Sequence, residues 1–195
     1  MIISEENKSF LWLQSRTGSN HAVQIFSKFG FKTRKTTENG YIFLELKPVH
    51  NMSYFSGHEK YTFICTARNP FTRLLSSYKF NNKTVDWNPK NFQDFFYHRF
   101  KLQSLGKFIY PFMNRTPDYF IRLENLYEDY QKLDFIKNSE LNESGDLSIL
   151  CKRKINDTED LKNPEGYFTN EIIEMVYEEG AKFFDLTGYN YPFLI

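Results

Sequence analysis

The sequence predicts an α/β fold in which a central, mainly parallel sheet is flanked by helices. Three observations carry that expectation. Apolar runs of strand length occur at Phe10–Gln14, Tyr61–Ala67 and Asp118–Leu123. Segments with helical spacing follow each of them. The first two runs also end in polar loops that open directly into a helix, the succession expected where parallel strands are joined by helical crossovers.

The elements follow in order. FLWLQ (Phe10 to Gln14) runs into the polar loop Ser15 to Asn20. Ala22, Val23, Ile25, Phe26 and Phe29 then recur at helical spacing, with Gly30 as the stop. Tyr41 to Leu46 reads as a further strand, closed off around Pro48. YTFICTA (Tyr61 to Ala67) is continuously apolar and rich in β-formers, the pattern of a strand buried on both faces. Pro70 stands where a helix would begin, and Leu74, Leu75 and Tyr78 supply that helix with an inner face. Further helices are expected at Phe92–Leu105, Leu126–Phe135 and Thr169–Leu186. Thr169 is a possible N-cap for the last of these, whose apolar residues Ile172, Ile173, Val176, Phe183 and Phe184 would fold back on the sheet. Asn138 to Asn163 is polar and poorly periodic.

At 195 residues the chain fits one domain, 1–195, able to bury about 70% of its unfolded surface. Its formal net charge of +1 argues against a polycation built for nucleic acid, so any anion site must be local. Aromatic residues make up 18%, and most are expected to serve as core. Cys65 and Cys151 read as two separate thiols rather than one disulfide. The four histidines lack paired zinc spacing, and no metal is expected. No window approaches the length of a membrane span and no basic start precedes an apolar run, so the sequence reads as soluble and cytoplasmic, without membrane insertion.

Two loops carry the chemistry, and both fall at the carboxyl ends of strands, where ligands bind in such sheets. In the first, Arg16-Thr17-Gly18-Ser19-Asn20, a helix start offers unpaired N–H groups and a positive dipole end to an anion. Gly18 lets the backbone come close, Arg16 adds a fixed charge, and Thr17, Ser19 and Asn20 add side-chain donors. Taken alone, this string reads first as an ordinary strand-to-helix turn. The second loop is Arg68-Asn69-Pro70-Phe71-Thr72-Arg73-Leu74-Leu75-Ser76-Ser77-Tyr78. A strand-end Arg68 with Ser76 two turns into the next helix can pinch a second phosphate.

This second segment resembles the 3′-phosphate-binding segment of sulfotransferases that use 3′-phosphoadenosine 5′-phosphosulfate (PAPS). That family's pattern is Arg-Asp-Pro-x-x-Arg-x-x-Ser-x-Tyr, with Asn69 here in place of Asp. SRTGSN resembles the family's 5′-phosphosulfate loop, with Asn20 where Thr or Ser is usual. DYFIRLENL (Asp118 to Leu126) is similar to its Arg-x-Glu-x-Leu stretch. GYFTNEIIEMVYEEGAKFFDLTGY (Gly166 to Tyr189) resembles the C-terminal helix of carbohydrate sulfotransferases.

The resemblance implies a three-layer, P-loop-like fold and PAPS as co-substrate, without a metal. Arg16 and the backbone from Thr17 to Asn20 would hold the 5′-phosphosulfate, and Arg68 with Ser76 the 3′-phosphate. A general base is expected between the two loops: His50 first, then Glu45, then His58. The acceptor would be a hydroxyl, on a glycan by the C-terminal pattern, with a peptide tyrosine or a small alcohol as the other options. Lys152 to Lys154 would either close over the nucleotide or form a solvated basic run. Two other readings stand beside this one. A P-loop kinase should carry Gly-Lys-Ser/Thr and an acidic strand end for Mg²⁺, and neither is visible. An inactive PAP- or PAPS-binding module would keep the same loops.

Overall fold

The computed structural model describes residues 2–14, 16–33, 36–38, 41–43, 59–84, 90–102, 104–110, 115–152 and 166–190. The chain begins with β1 (Ile2–Ser4), β2 (Ser9–Trp12) and α1 (Ser19–Ser27), followed by the short strands β3 (Lys32–Thr33), β4 (Thr36–Glu38) and β5 (Tyr41–Phe43). Next come β6 (Thr62–Ala67), α2 (Pro70–Thr84), α3 (Phe92–Leu102), α4 (Leu105–Ile109) and β7 (Tyr119–Arg122). A 3-10 turn at Leu123–Asn125 leads into α5 (Leu126–Tyr130), α6 (Asp134–Lys137), α7 (Glu140–Glu143) and α8 (Asp146–Lys152). The long helix α9 (Asn170–Thr187) completes the described elements. The chain divides into two compact units, Met1–Ala67 with Asn114–Asn156, and Arg68–Met113 with Asp157–Ile195.

The first unit holds the central sheet, in the order β3-β1-β2-β6-β7. β2 pairs with β6, and β6 with β7, in parallel; β1 runs antiparallel to both β2 and β3. Four of the five strands therefore point the same way, which is the α/β, mainly parallel sheet that the sequence predicts. Alternation along the strands separates two faces. Leu11 and Ile64 stand opposite each other on one face, where they join Leu13, Ala22, Ile25, Phe26, Ile121 and Tyr130 in a single buried cluster. Each of the Leu, Ile and Phe side chains among them contributes about 1.5–3 kcal/mol by leaving water. On the other face Phe10 stacks on Phe63 at 4.7 Å, and the Arg115 guanidinium lies over both rings. Arg115 is fixed there by Asp118, at 3.1 Å, and by the Tyr61 carbonyl, at 2.6 Å.

The strand expected at Tyr41–Leu46 is present over its described part, Tyr41–Phe43, and it pairs with Thr36–Glu38 in a separate antiparallel ladder. The register places Glu38 opposite Tyr41, leaving Asn39-Gly40 between them, the dipeptide that most favours a two-residue hairpin. A local partner thus competes successfully with the distant sheet. The polar, poorly periodic stretch Asn138–Asn163 holds α7 and α8 in its described part. The single helix expected over Phe92–Leu105 is instead two, because the Ser104 hydroxyl accepts from the Lys107 N–H and starts a new helix.

The second unit is helical among its described residues. Pro70 occupies the first position of α2, as its missing N–H allows, and Thr169 caps α9 by accepting from the Ile172 N–H at 3.3 Å. Gly180 brings α9 close to α4: a β-carbon there would stand 3.3 Å from two Ile109 carbons and 2.9 Å from the Phe184 ring. Around them an aromatic core joins Phe71, Phe92, Phe168, Tyr177 and Phe184 through edge-to-face and tilted contacts.

Candidate functional site

In the first unit, β2 ends at Trp12, and the chain reaches α1 through the loop that carries Arg16. Two residues of the loop are left-handed: Arg16, with φ 64°, and Gly18, with φ 75°. For Arg16 that conformation costs about 1–2 kcal/mol, the penalty of any side chain with a β-carbon. Gly18 is the N-cap of α1 and makes no side-chain cap, so the first amides of the helix point out of the loop without an intrahelical acceptor. Turns of this kind, with left-handed residues and successive N–H groups, form concave anion sites.

The hydroxyls of the loop are turned inward. Thr17 donates to the Gln14 carbonyl at 2.7 Å, and Ser19 donates to the same oxygen at 2.5 Å. The Thr17 and Thr66 hydroxyls lie 2.6 Å apart. Since the single Thr17 proton goes to Gln14, Thr66 must donate to Thr17, while Thr66 itself accepts the Gln14 N–H at 3.1 Å. The result is a closed ring of hydrogen bonds that ties the loop to β6. Thr17 is buried, Ser19 half-buried and Asn20 exposed. The side-chain donation expected of Thr17 and Ser19 is thus spent on the loop itself. Arg16 is half-buried, and burial lowers its pKa from the ordinary guanidinium value.

Beneath the loop, His21 is buried, with Nδ1 3.2 Å from the Tyr130 hydroxyl and Nε2 3.2 Å from the Leu150 carbonyl. Desolvation pushes its pKa down, against the raising effect of the Leu150 bond. β7 is anchored at its end by Asp129, which is fully buried. This carboxylate takes the Arg122 backbone N–H, Nε and terminal nitrogen, each at 2.8 Å, and Lys132 Nζ at 2.7 Å. A pocket of about 230 Å³ opens between the 3-10 turn with α5 and α8, lined in part by Leu123, Tyr127, Glu128 and Cys151. Burial, and then the nearby Glu128, raise the Cys151 thiol to about 11, so it stays protonated. Cys65 and Cys151 are both free thiols, as expected.

In the second unit, Arg68 precedes α2, and its Nε donates to the Thr72 hydroxyl at 3.1 Å. Thr72 and Ser76 are one helical turn apart, so Arg68, Thr72 and Ser76 line one side of α2. Ser76 is half-buried. Asn69 caps the helix: its Oδ1 accepts the Phe71 N–H at 3.0 Å and its Nδ2 donates to the Asn190 carbonyl at 2.7 Å. That second bond needs a donor, which an Asp cannot supply at neutral pH, and it accounts for Asn at this position. Arg73 faces the interior of the unit, where it donates to the Phe108 carbonyl at 2.7 Å and stacks on the Phe108 ring.

Glu45, His50 and His58, the expected bases, lie outside the described residues, as do Arg153 and Lys154. Among the described residues no group of three or more His, Cys, Asp or Glu is arranged to hold a metal ion, and no helix is long and apolar enough to cross a membrane. The residues that sequence reasoning missed are Gln14, Thr66 and Leu123, which shape the first loop without belonging to it. Thr66 is the one polar side chain besides Cys65 and Thr62 in the run from Thr62 to Ala67, and that was the available signal. Comparisons of the chain with protein-family models, with curated proteins and with solved structures returned no match.

Proposed function

We propose that this chain is a PAPS-dependent sulfotransferase, which moves a sulfuryl group to an acceptor hydroxyl, on a glycan before a peptide tyrosine or a small alcohol. The observation that carries the reading is the Arg16–Asn20 loop. It joins a strand end to a helix start, holds two left-handed residues, and has its hydroxyls already folded back on Gln14. A loop so braced is a preorganised cradle of N–H groups with a guanidinium at its rim. The Arg68 segment supports the same reading. A strand-end arginine held by Thr72, with Ser76 one turn further on, suits a terminal phosphate such as the 3′-phosphate of PAPS. The finer architecture that accompanies this reading is the three-layer, P-loop-like arrangement.

The transfer needs in-line geometry and charge stabilisation at the leaving oxygen. The acceptor oxygen forms a new bond to the sulfuryl sulfur as the bond from sulfur to the 5′-phosphate oxygen breaks. The electron pair stays on that phosphate, giving 3′-phosphoadenosine 5′-phosphate (PAP). Arg16 and the N–H groups from Thr17 to Asn20 hold the phosphosulfate and take up the charge that develops on the leaving oxygen. Arg68 and Ser76 bind the 3′-phosphate. The acceptor proton passes to a base, His50 in this reading, with Glu45 and then His58 as the substitutes.

The test is transfer of label from ³⁵S-PAPS to a panel of glycans, tyrosine peptides and simple alcohols. Labelled product that vanishes in Arg16→Ala supports the reading. Tight PAP binding without transfer to any acceptor class would instead describe an inactive nucleotide-binding module.

A further inference from the structure

His21 is the third residue of α1, the helix that opens from the Arg16–Asn20 loop, and it ties that helix to α5 and α8. Its buried ring has Nδ1 3.2 Å from the Tyr130 hydroxyl and Nε2 3.2 Å from the Leu150 carbonyl. A carbonyl only accepts, so the ring hydrogen sits on Nε2, and Nδ1 accepts from Tyr130. A second proton would have to enter at Nδ1, and Tyr130 would have to turn its own hydrogen away. Burial opposes the added charge. So does the positive end of the α1 dipole, which acts over the first turn, where His21 stands. α1 carries no other titratable side chain. Facing it, Tyr130 and Cys151 are both kept protonated, in each case by burial above all. Asp129 is ionised and already answered by Arg122 and Lys132. Glu128 on α5, Asp146 and Lys152 on α8, and Arg16 in the loop complete the charged groups of these elements. His21 is therefore the group of this cluster placed to change charge between about pH 5 and pH 8.

We infer that His21 is a positioning residue that takes up a proton when an anion settles at the start of α1, so that proton and anion each tighten the other's binding. The inference rests on the reading of the Arg16–Asn20 loop as an anion cradle, and it adds how that cradle is regulated. An anion at the helix start offsets the dipole that opposes the imidazolium, and its own charge attracts the proton. Linkage makes the effect reciprocal: whatever factor the anion adds to proton affinity, the proton adds to anion affinity. The anion need not reach the buried ring. It goes to the loop, where Asn20 is exposed and Arg16 half-buried, and only a proton passes inward, by local opening. The two hydrogen bonds of His21 meanwhile fix how α1 is held against α5 and α8. The competing reading makes His21 a structural tie alone, neutral whether or not an anion is bound.

The experiment follows the His21 ring resonances of the whole protein from about pH 8 to about pH 5, free and with saturating PAP. A second pair of titrations uses sodium sulfate, with sodium chloride at equal ionic strength as reference. Sulfate keeps its charge across this range, whereas the phosphates of PAP titrate near pH 6. The expected result is a His21 midpoint that rises by about one pH unit with either anion, a tenfold gain in proton affinity. Sulfate should then bind more tightly as pH falls in the wild type, and with much less pH dependence in His21→Gln. A midpoint that stays where it was while PAP binds overturns the inference and leaves the anion reading of the loop standing. Failure of both PAP and sulfate to bind overturns that reading, and the inference with it. A sulfate-induced rise that disappears in Arg68→Gln places the anion at the other loop and also overturns the inference. The ring is assigned through bonds in the wild-type protein, so the outcome stands even if His21→Gln fails to fold.

Discussion

Leu123 and Gly18 are in contact so close that no side chain fits between them: a β-carbon on Gly18 would lie 2.6 Å from Leu123 Cδ1. Gly18 is also left-handed, with φ 75°. Gly18→Ala therefore carries both an unfavourable backbone, about 1–2 kcal/mol, and an overlap that Leu123 must move to relieve. Denaturant unfolding should show a loss of about 2–4 kcal/mol. Leu123→Ala should recover part of it in the double variant, since the two residues are coupled.

Arg16 holds a left-handed backbone at the rim of the same loop. Arg16→Gly removes that strain and should leave stability equal or higher by about 1 kcal/mol, even though a flexible residue has been added. Under the proposed function the same change abolishes sulfuryl transfer. Thermal unfolding and label transfer on one preparation test both halves, and a stability loss above about 1 kcal/mol would show that Arg16 is held by contacts and not strained against them.

Thr66 contacts the loop from β6 and closes its hydrogen-bond ring. Thr66→Val keeps the shape but leaves the Gln14 N–H without its acceptor, at a cost of about 1–3 kcal/mol. Thr66→Ser should retain most of the wild-type stability. PAP affinity should fall in the valine variant and recover in the serine one, because Thr66 acts through the loop.

Stability should fall with acid in two separate windows. His21 is buried neutral with its pKa lowered by desolvation, so the unfolded chain binds the proton first. Its cost sets in as pH drops below the ordinary imidazole value of about 6.5. Asp129 behaves differently: burial raises its pKa, but the bonds from Arg122 and Lys132 outweigh burial and bring the net value below that of an ordinary carboxylate. Its contribution is present above about pH 4 and is lost as pH falls through the folded value. Chemical denaturation from pH 8 to pH 3 should show the first slope disappear in His21→Gln. In Asp129→Ala the second slope should disappear, together with a loss of about 3–5 kcal/mol at neutral pH.

The strands and helix starts that carry the site were readable because their signals are local. Tyr61–Ala67 is apolar throughout, and Pro70 and Thr169 mark helix beginnings by chemistry that needs no tertiary partner. The pairing of Thr36–Glu38 with Tyr41–Phe43 and the Ser104 cap carried equally local signals, Asn-Gly in the sequence and a serine before an apolar run, that a search for periodicity passes over. What was not legible depends on long-range pairing. β1 is three residues long and exists because β2 and β3 border it. Asp129, within LYEDY, has the sequence context of a solvated helix face, and only Arg122 and Lys132 make its burial tolerable. The inward turn of Thr17 and Ser19 was likewise hidden, because a hydroxyl's partner is set by the chain path and not by its neighbours in sequence.

The most direct test of the central claim is calorimetric titration of the purified protein with PAP, beside ADP and ATP, with and without Mg²⁺. The account predicts tight binding that needs the 3′-phosphate, needs no Mg²⁺, and weakens at least tenfold, about 1.4 kcal/mol, in Arg68→Ala. Equal binding of ADP and PAP, ATP binding that depends on Mg²⁺, or PAP affinity unchanged in Arg68→Ala would contradict it.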